Sequence, residues 1–228
     1  MESSRAVPAT KKAEQTRERI VEVALRLFTS KGYEATTMRD IAAEADCSLG
    51  LAYRYFARKE DLVMVLYQRQ AQQLERQMAD LPAAPLADRF ERTLRAKLAL
   101  LEPYRPALGA LFSVALNPQN DLGVLSPATG EIRERVTSVY LLAVSGATDA
   151  PKPQQAQELA TVLYTLHLLF ILFWLSDRSP EQRATYDLLG IARDLLNTLR
   201  PALRLPPVAR LLSRLARALV PVFSKGLG

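Results

Sequence analysis

The sequence predicts an all-α fold that is divided into a short N-terminal domain and a longer C-terminal domain. Apolar residues recur at spacings of three and four through most of the chain, which is the pattern of helices with one buried face. No segment alternates between apolar and polar residues for long enough to predict a β-strand. The 228 residues include 14 prolines, which mark most of the breaks between the predicted helices.

Four helices are predicted in the first 80 residues, at about 10–31, 37–45, 48–56 and 58–80. Gly32 is placed to take the left-handed conformation that commonly follows the end of a helix. Thr37 and Asp40 have the spacing of a capping box at the start of the second helix, and Ser48 can cap the third. Residues 10–58 are therefore predicted to form one small domain, with the fourth helix as its connection to the rest of the chain.

The proline-marked stretch at residues 80–88 is the predicted domain boundary. Beyond it, residues 81–200 are predicted to form a second helical domain, and Ser179 and Gln182 are spaced as a capping box at the start of its last helix. A separate basic amphipathic helix is predicted over residues 207–224. The predicted helices of the second domain lie at about 86–101, 104–116, 127–146, 154–176 and 180–199.

Composition and charge exclude several classes of protein. The single cysteine, Cys47, rules out an intrachain disulfide, and residues 1–10 lack the apolar core of a signal peptide. The longest nearly apolar run, residues 162–175, is shorter than the about 20 residues of a membrane span, so a buried helix and a cytoplasmic soluble protein are expected. The net charge of +6 equals the excess in residues 200–228, which contain six basic residues and no acidic one. Overall charge therefore does not predict a nucleic-acid partner.

The second and third predicted helices have the lengths and the tight turn of a helix-turn-helix, a unit that lays its second helix in the DNA major groove. Helices this short are marginal alone, so the first and fourth helices must hold them through a shared core. That core is predicted to contain Leu27, Phe28, Ile41, Ala42, Ala45, Ala52 and Phe56.

The third helix carries groups that suit DNA. The hydroxyls of Tyr53 and Tyr55 can reach phosphates or base edges, and Arg54 can bind a phosphate or a guanine. Gly50 lets the backbone approach DNA closely, and the positive N-terminal end of the helix suits a phosphate. Packing against the first helix is the alternative role for both tyrosines. The complete set of predicted DNA-binding residues is Thr37, Arg39, Ser48, Leu49, Gly50, Tyr53, Arg54, Tyr55 and Lys59.

Residues 17–67 carry the pattern A-x-x-L-F-x-x-x-G-Y-x-x-T-T-x-x-D-I-A, followed by S-x-G-x-x-Y-x-Y-F-x-x-K-E-x-L. This stretch closely resembles the N-terminal DNA-binding domain of TetR-family transcriptional regulators. The resemblance implies a homodimer with a four-helix interface formed by helices near 154–176 and 180–199, and a domain at 81–200 that binds a small effector. It also implies a repressor of a palindromic double-stranded DNA operator, and the apolar side chains of the second domain favour a largely apolar effector.

The turn of the helix-turn-helix departs from the family pattern, because Ala45-Asp46-Cys47-Ser48 replaces the usual Ala-Gly-hydrophobic-Ser. Asp46 is predicted to lie at positive φ, which aspartate tolerates better than most residues, at a cost of about 1 kcal/mol. Cys47 occupies the position of a small apolar plug. We favour that role over a redox sensor because free cysteines are usually buried and inert.

Candidate ligand-binding residues in the second domain are Tyr104, Phe112, His167, Phe170 and Trp174. The aromatic residues can instead belong to the core or to a dimer interface, and the sequence leaves these roles open. His167, the single histidine, has no cysteine or carboxylate at ligand spacing, so no metal site is predicted. A core or interface histidine with its hydrogen bonds made inside the protein is the favoured role, and a polar contact to an effector is the alternative. The sequence contains no nucleophile elbow or glycine-rich phosphate loop, so we expect no enzyme, no catalytic residue and no cofactor.

The predicted C-terminal helix at 208–223 has an apolar face and a basic face. The simplest interpretation is an extra helix packed on its own domain. The alternatives are weak contact with an anionic membrane surface, which would make this a membrane-surface-associated protein, or added nonspecific attraction to DNA. The apolar face consists of Leu211, Leu215, Ala218, Leu219 and Val222, and the basic face of Arg210, Arg214 and Arg217.

Overall fold

The computed structural model describes residues 11–111 and 121–223, which contain ten α-helices and no β-strand. The predicted all-α fold is confirmed. The helices are α1 Lys11–Ser30, α2 Met38–Glu44, α3 Leu49–Tyr55, α4 Lys59–Met78, α5 Leu86–Leu101, α6 Arg105–Ala110, α7 Gly130–Ser145, α8 Pro153–Ser176, α9 Arg183–Leu199 and α10 Pro206–Phe223. Part of the helix predicted over 104–116 and the ends of the predicted segments 10–58 and 207–224 lie outside the described residues.

The chain forms two compact units, and the division between them falls inside α4. The first unit ends at Leu66, and the second begins at Tyr67. Because α4 runs from Lys59 to Met78, it contributes its first eight residues to the first unit and the rest to the second. The helix that the sequence predicts as a connection is therefore part of both cores.

The core of the first unit is built from the apolar faces of short helices that pack on α1 and the start of α4. Ile41, Ala52 and Phe56 are at most 3% exposed, and Phe28 packs edge-on against Tyr33 with their ring centroids 5.1 Å apart. Leu27, which the sequence places in this core, is only half-buried. The buried face of α1 passes through its neighbours Leu25 and Phe28, so Leu27 lies at the edge.

Helix α8 is the central helix of the second unit. It packs against α7, α9 and α10, while α5 packs against α7 and α9. By length and composition α8 is long and apolar enough to cross a membrane. Its buried residues include His167, Phe170 and Trp174, so in this fold much of its surface faces protein.

The connection between α8 and α9 corrects the predicted capping box. Gln182 has φ 54° and does not cap α9. The Ser179 hydroxyl does cap α9 as predicted, because it accepts a 3.0 Å hydrogen bond from the backbone N–H of Ala184. The carboxylate of Asp177 takes the place of Gln182 and accepts a 2.9 Å hydrogen bond from the backbone N–H of Thr185. The hydrogen bond from the Thr185 hydroxyl is the largest of the effects that hold the pKa of the Asp177 carboxyl well below its usual range.

The C-terminal helix α10 packs on α8 through a different face from the one that the sequence predicts. Leu212 and Ala216 are 7% and 4% exposed, and the Ser213 hydroxyl donates a 2.8 Å hydrogen bond to Glu158 on α8. Leu211 and Leu215 are instead 63% and 46% exposed. Apolar residues occur on more than one side of this helix, so periodicity alone does not select the side that packs.

Candidate DNA interface and ligand cavity

The start of α2 is fixed by a complete capping box. The Thr37 hydroxyl accepts a 3.2 Å hydrogen bond from the backbone N–H of Asp40, and the Asp40 carboxylate accepts one of 2.8 Å from the backbone N–H of Thr37. Lys31 donates to the same carboxylate at 2.8 Å. This ammonium is the largest of the effects that lower the pKa of Asp40 to about 2, followed by the bonds from Thr37. The predicted capping box is present, and Thr37 and Arg39 are both exposed beside it.

The turn between α2 and α3 has the strained residue that the sequence predicts. Asp46 lies at φ 50°, and its carbonyl accepts a 3.1 Å hydrogen bond from the Arg19 guanidinium of α1. The backbone N–H of Cys47 returns to the carbonyl of Ala42 at 3.0 Å, which closes the turn. An aspartate therefore occupies a left-handed position that glycine fits with less strain.

We expect Asp46→Gly to be at least as stable as the wild type, and Asp46→Ala to be about 1 kcal/mol less stable than Asp46→Gly, because alanine is strained at positive φ. Both variants keep the carbonyl that Arg19 contacts, so the comparison isolates the backbone conformation. Denaturant unfolding followed by circular dichroism measures the difference. Equal stability of the two variants would show that the turn relaxes to another conformation.

Cys47 has the environment of a structural residue. Its side chain is partly buried, and burial raises the pKa of its thiol. A protonated thiol is a poor nucleophile, so this environment favours the small apolar plug over the redox sensor.

Helix α3 presents one polar face to solvent. The Ser48 hydroxyl caps the helix by accepting a 3.2 Å hydrogen bond from the backbone N–H of Leu51. Ala52 is fully buried on the inner side. On the outer side Gly50, Tyr53 and Arg54 are exposed at positions i, i+3 and i+4, which lie on one face of a helix, and Tyr53 is 50% exposed.

Gly50 is not required by packing within the protein. A Cβ atom added there would meet no other atom within 4 Å. The open space beside Gly50 is compatible with a close approach of the backbone to a partner, which is the role that the sequence predicts.

Two further predicted DNA-binding residues have internal contacts. Tyr55 is half-buried. The Lys59 ammonium lies 4.1 Å from the ring centroid of Tyr33 and donates a 2.8 Å hydrogen bond to the Tyr33 carbonyl. Lys59 therefore also holds the loop before α2. Of the nine predicted residues, the exposed ones are Thr37, Arg39, Ser48, Gly50, Tyr53 and Arg54, and the half-buried ones are Leu49, Tyr55 and Lys59.

The second unit contains a cavity of about 240 Å³ among α4, α5, α7 and α8. Most of its wall is aliphatic, and Lys97 and Arg133 bring positive charge to it. His167 also lines it, and its Nδ1 is hydrogen-bonded to the carbonyl of Tyr164. Burial, followed by the nearby charge of Lys97, lowers the pKa of His167 to about 3, so this imidazole is neutral at physiological pH.

The structure brings one of the five predicted ligand-binding residues to this cavity. His167 lines it, whereas Tyr104, Phe170 and Trp174 do not, and Phe112 lies outside the described residues. Trp174 is fully buried on another side of α8, where the Arg105 guanidinium lies 5.3 Å from its ring centroid. Phe170 and Trp174 were predicted because they are aromatic, but they are packing residues of α8.

The charged residues of the cavity wall are not among those predicted from the sequence. Lys97 lies between Leu94 and Leu98 on the buried face of α5, where all three are at most 7% exposed. A lysine within an apolar helical stripe is the signal that could have identified it, because lysine is seldom buried without a functional or structural partner.

A capped helix-turn-helix with an exposed polar face, followed by a helical unit with a cavity, defines a DNA-binding regulator of the helix-turn-helix class. Residues 20–65 match the family described as bacterial regulatory proteins, tetR family, and residues 89–199 match the tetracyclin repressor-like C-terminal domain. The chain belongs to the TetR family of transcriptional regulators, which bind DNA and are not enzymes.

Similar proteins agree with this assignment. The chain is 42% identical over 55 residues to the HTH-type transcriptional regulator HbdR of Aromatoleum sp. (strain CIB), and this match spans 24% of each chain. A TetR-family regulator from Streptomyces coelicolor has a similar fold, with a TM-score of 0.63, 22% identity and coverage of 91% and 89% of the two chains. CprB of Streptomyces coelicolor, whose structure contains its operator DNA, is 26% identical with a TM-score of 0.50, over 89% of this chain and 99% of CprB.

Proposed function

We propose that this protein is a cytoplasmic homodimeric repressor that binds a palindromic operator and leaves it when a small effector occupies the cavity of the second unit. The observation that carries this proposal is the exposed face of α3, where Gly50, Tyr53 and Arg54 lie together on a helix that is capped and packed on its other side. DNA is a partner that covers such a face with phosphates and base edges.

The geometry of α3 supports binding in the major groove. The helix is only seven residues long, and α2 holds it through the closed turn at Asp46 and Cys47. Arg54 supplies a charged donor for phosphate or guanine, and Tyr53 supplies a hydroxyl. In a symmetric dimer two such helices would enter successive major grooves about 34–36 Å apart, which requires a palindromic site.

An apolar stripe on α9 supports dimerisation. Leu188, Ile191, Leu195 and Leu199 recur at helical spacing and are 37%, 63%, 56% and 49% exposed. A contiguous exposed apolar stripe of this kind usually marks an interface. On α8, Phe173 is 41% exposed, so both helices of the proposed four-helix interface offer apolar surface.

The cavity supports a small effector. Its aliphatic wall favours a ligand with an apolar body, and α4 contributes Tyr67 and Gln70 to it. These residues lie on the helix that begins at Lys59 in the first unit. If an effector lowers the affinity for the operator, linkage requires that the operator lower the affinity for the effector by the same factor.

The DNA-binding proposal is tested by removing the polar groups of Tyr53 and Arg54, which make no hydrogen bond or ion pair within the described structure. A duplex is first selected from a random pool with the wild-type protein, and we expect an inverted repeat. Tyr53→Phe/Arg54→Met should then lower the affinity for this duplex by about 100-fold, because each copy loses about 1.4 kcal/mol of contacts and the dimer has two copies. Fluorescence anisotropy at a fixed salt concentration measures the affinity.

Arg76→Met is the control, because it removes another exposed arginine, from the part of α4 that belongs to the second unit. We expect it to change the affinity by less than about threefold. The double variant binding as tightly as the control would contradict the proposed interface, provided that both have wild-type circular dichroism spectra. Lys59→Ala is less informative, since it also removes the contacts of Lys59 with Tyr33.

A further inference from the structure

Lys97 is a buried cation in the cavity wall. It is 7% exposed, and it lies on α5 between apolar residues. No aspartate or glutamate belongs to the described residues that line the cavity, and the sequence of residues 112–120 contains neither. Burial lowers the pKa of Lys97 to about 8, so the ammonium is still mostly charged at pH 7. A buried charge with no carboxylate in its cavity is costly, and a ligand of opposite charge would offset that cost.

Arg133 adds a second positive charge to the same wall. It is 4% exposed, and its Nη1 donates to the carbonyl of Val124 at 3.2 Å and to the Thr129 hydroxyl at 2.7 Å. These acceptors orient the guanidinium in the wall of the cavity. The remaining titratable groups of the wall, His167, Tyr67 and Tyr164, add no charge at pH 7, since burial lowers the pKa of the imidazole and raises the pKa of both phenols.

Gln70 presents a polar group to the cavity that lacks a partner. The residue is 8% exposed, and its Oε1 makes no hydrogen bond within the described structure. Buried side-chain amides are normally hydrogen-bonded. A half-turn of the terminal amide exchanges its oxygen and nitrogen, so Gln70 can donate to a ligand as well as accept from it.

The rest of the wall limits the size and polarity of the ligand. Leu101, Leu108, Ile132 and Val136 are among its aliphatic members. The volume of about 240 Å³ is at the small end for ligand pockets.

We propose that the effector is a small amphipathic organic anion, with a medium-length apolar body in the aliphatic part of the cavity and a carboxylate that pairs with Lys97 beside Gln70. This inference rests on the proposed function, because it specifies the effector of the same site. The two cations give the cavity a preference for an anionic headgroup over a neutral one or a cationic one on the same apolar chain.

The test compares three probes that share one chain, octanoate, 1-octanol and octylammonium, by isothermal titration calorimetry with the full-length protein at pH 7. We expect octanoate to bind at least about tenfold more tightly than octanol, since hydrogen bonds between charged groups are stronger than those between neutral groups. Octylammonium should bind most weakly. Octanol binding as tightly as octanoate, or octylammonium binding best, would overturn the inference without any variant.

Lys97→Met removes the charge and keeps the length and apolar stem of the side chain. We expect this variant to bind octanol as well as the wild type and to lose the preference for octanoate. Its melting temperature should equal or exceed that of the wild type, because an unpaired buried charge has been removed. Lys152→Met, at an exposed lysine of the same unit, is the matched control and should keep the preference. A full preference in Lys97→Met would also overturn the inference.

A measurement of operator binding distinguishes a failure of this inference from a failure of the proposed function. If the wild-type protein binds its selected duplex but does not prefer octanoate, only the anionic effector is wrong. If octanoate is preferred through Lys97 but no duplex is selected, the cavity chemistry stands and the repressor function fails.

Discussion

Ile191→Asp/Leu195→Asp is expected to convert the protein to monomers and to lower its affinity for the selected duplex by more than about 100-fold. These side chains are 63% and 56% exposed and lie one turn apart on α9. In a two-fold symmetric dimer each substitution occurs twice, and burying one such side chain contributes about 1.5–3 kcal/mol. The aspartates would also have to be desolvated at the interface, which adds to the loss. Analytical ultracentrifugation measures the oligomeric state, and anisotropy measures the affinity for DNA.

Leu211→Asp/Leu215→Asp provides a closely matched control. Leu211 and Leu215 are 63% and 46% exposed, and they lie one turn apart on α10. The same chemical change on this helix should leave the dimer and its DNA affinity unaffected, because the proposed interface uses α8 and α9. If the α10 variant dissociated and the α9 variant remained a dimer, the interface would be on the C-terminal helix and the proposed interface would be wrong.

Features that depend on neighbouring residues in the chain were predictable from the sequence. The capping box of Thr37 and Asp40, the left-handed conformation of Gly32 and the positive φ of Asp46 are all present. Each of these follows from the steric and hydrogen-bonding properties of a few adjacent residues, which tertiary packing seldom changes. The helix bounds of the first unit follow from the same local rules.

Features that depend on the packing partner were not predictable in the same way. Helical periodicity identifies apolar faces of α10, but only contact with α8 shows that Leu212 and Ala216 form the buried one. Gln182 has the right spacing to complete the capping box, yet the N–H groups at the start of α9 bind the side chains of Ser179 and Asp177. Sequence spacing alone does not show which of several nearby polar side chains will accept the hydrogen bonds at the start of a helix.

The two candidate sites also differ in how far the sequence predicts them. The exposed face of α3 follows from a motif of adjacent residues, so Tyr53 and Arg54 could be identified before the structure. The cavity is assembled from α4, α5, α7 and α8, and its charged members are far apart in sequence. Lys97 and Arg133 lie in the same cavity wall only because α5 and α7 pack against each other. Trp174 was predicted as a ligand-binding residue because it is aromatic, but it is buried in the core.

Arg89 ties the loop after α4 to the end of α7, and Arg89→Met is expected to have the largest effect on stability of any substitution considered. The residue is 3% exposed, and its guanidinium donates to the carbonyls of Leu81 at 2.7 Å, Ala143 at 2.7 Å and Leu142 at 3.0 Å. A cation at the C-terminal carbonyls of a helix is also favoured by the helix dipole. Methionine fills the space of the stem but removes the guanidinium donors from these carbonyls, of which that of Leu142 still accepts a 3.1 Å hydrogen bond from the backbone N–H of Gly146.

We expect Arg89→Met to lower the free energy of unfolding by about 3 kcal/mol, since several charge-assisted bonds are lost while the desolvation cost of the guanidinium is recovered. For a chain of this length this corresponds to a fall in melting temperature of roughly 6–12 °C. Arg92→Met, at an exposed position of the same helix, is the control and should change the melting temperature by no more than about 2 °C. Similar melting temperatures for the two variants would mean that water replaces the guanidinium at the carbonyls, and that Arg89 contributes little to the fold.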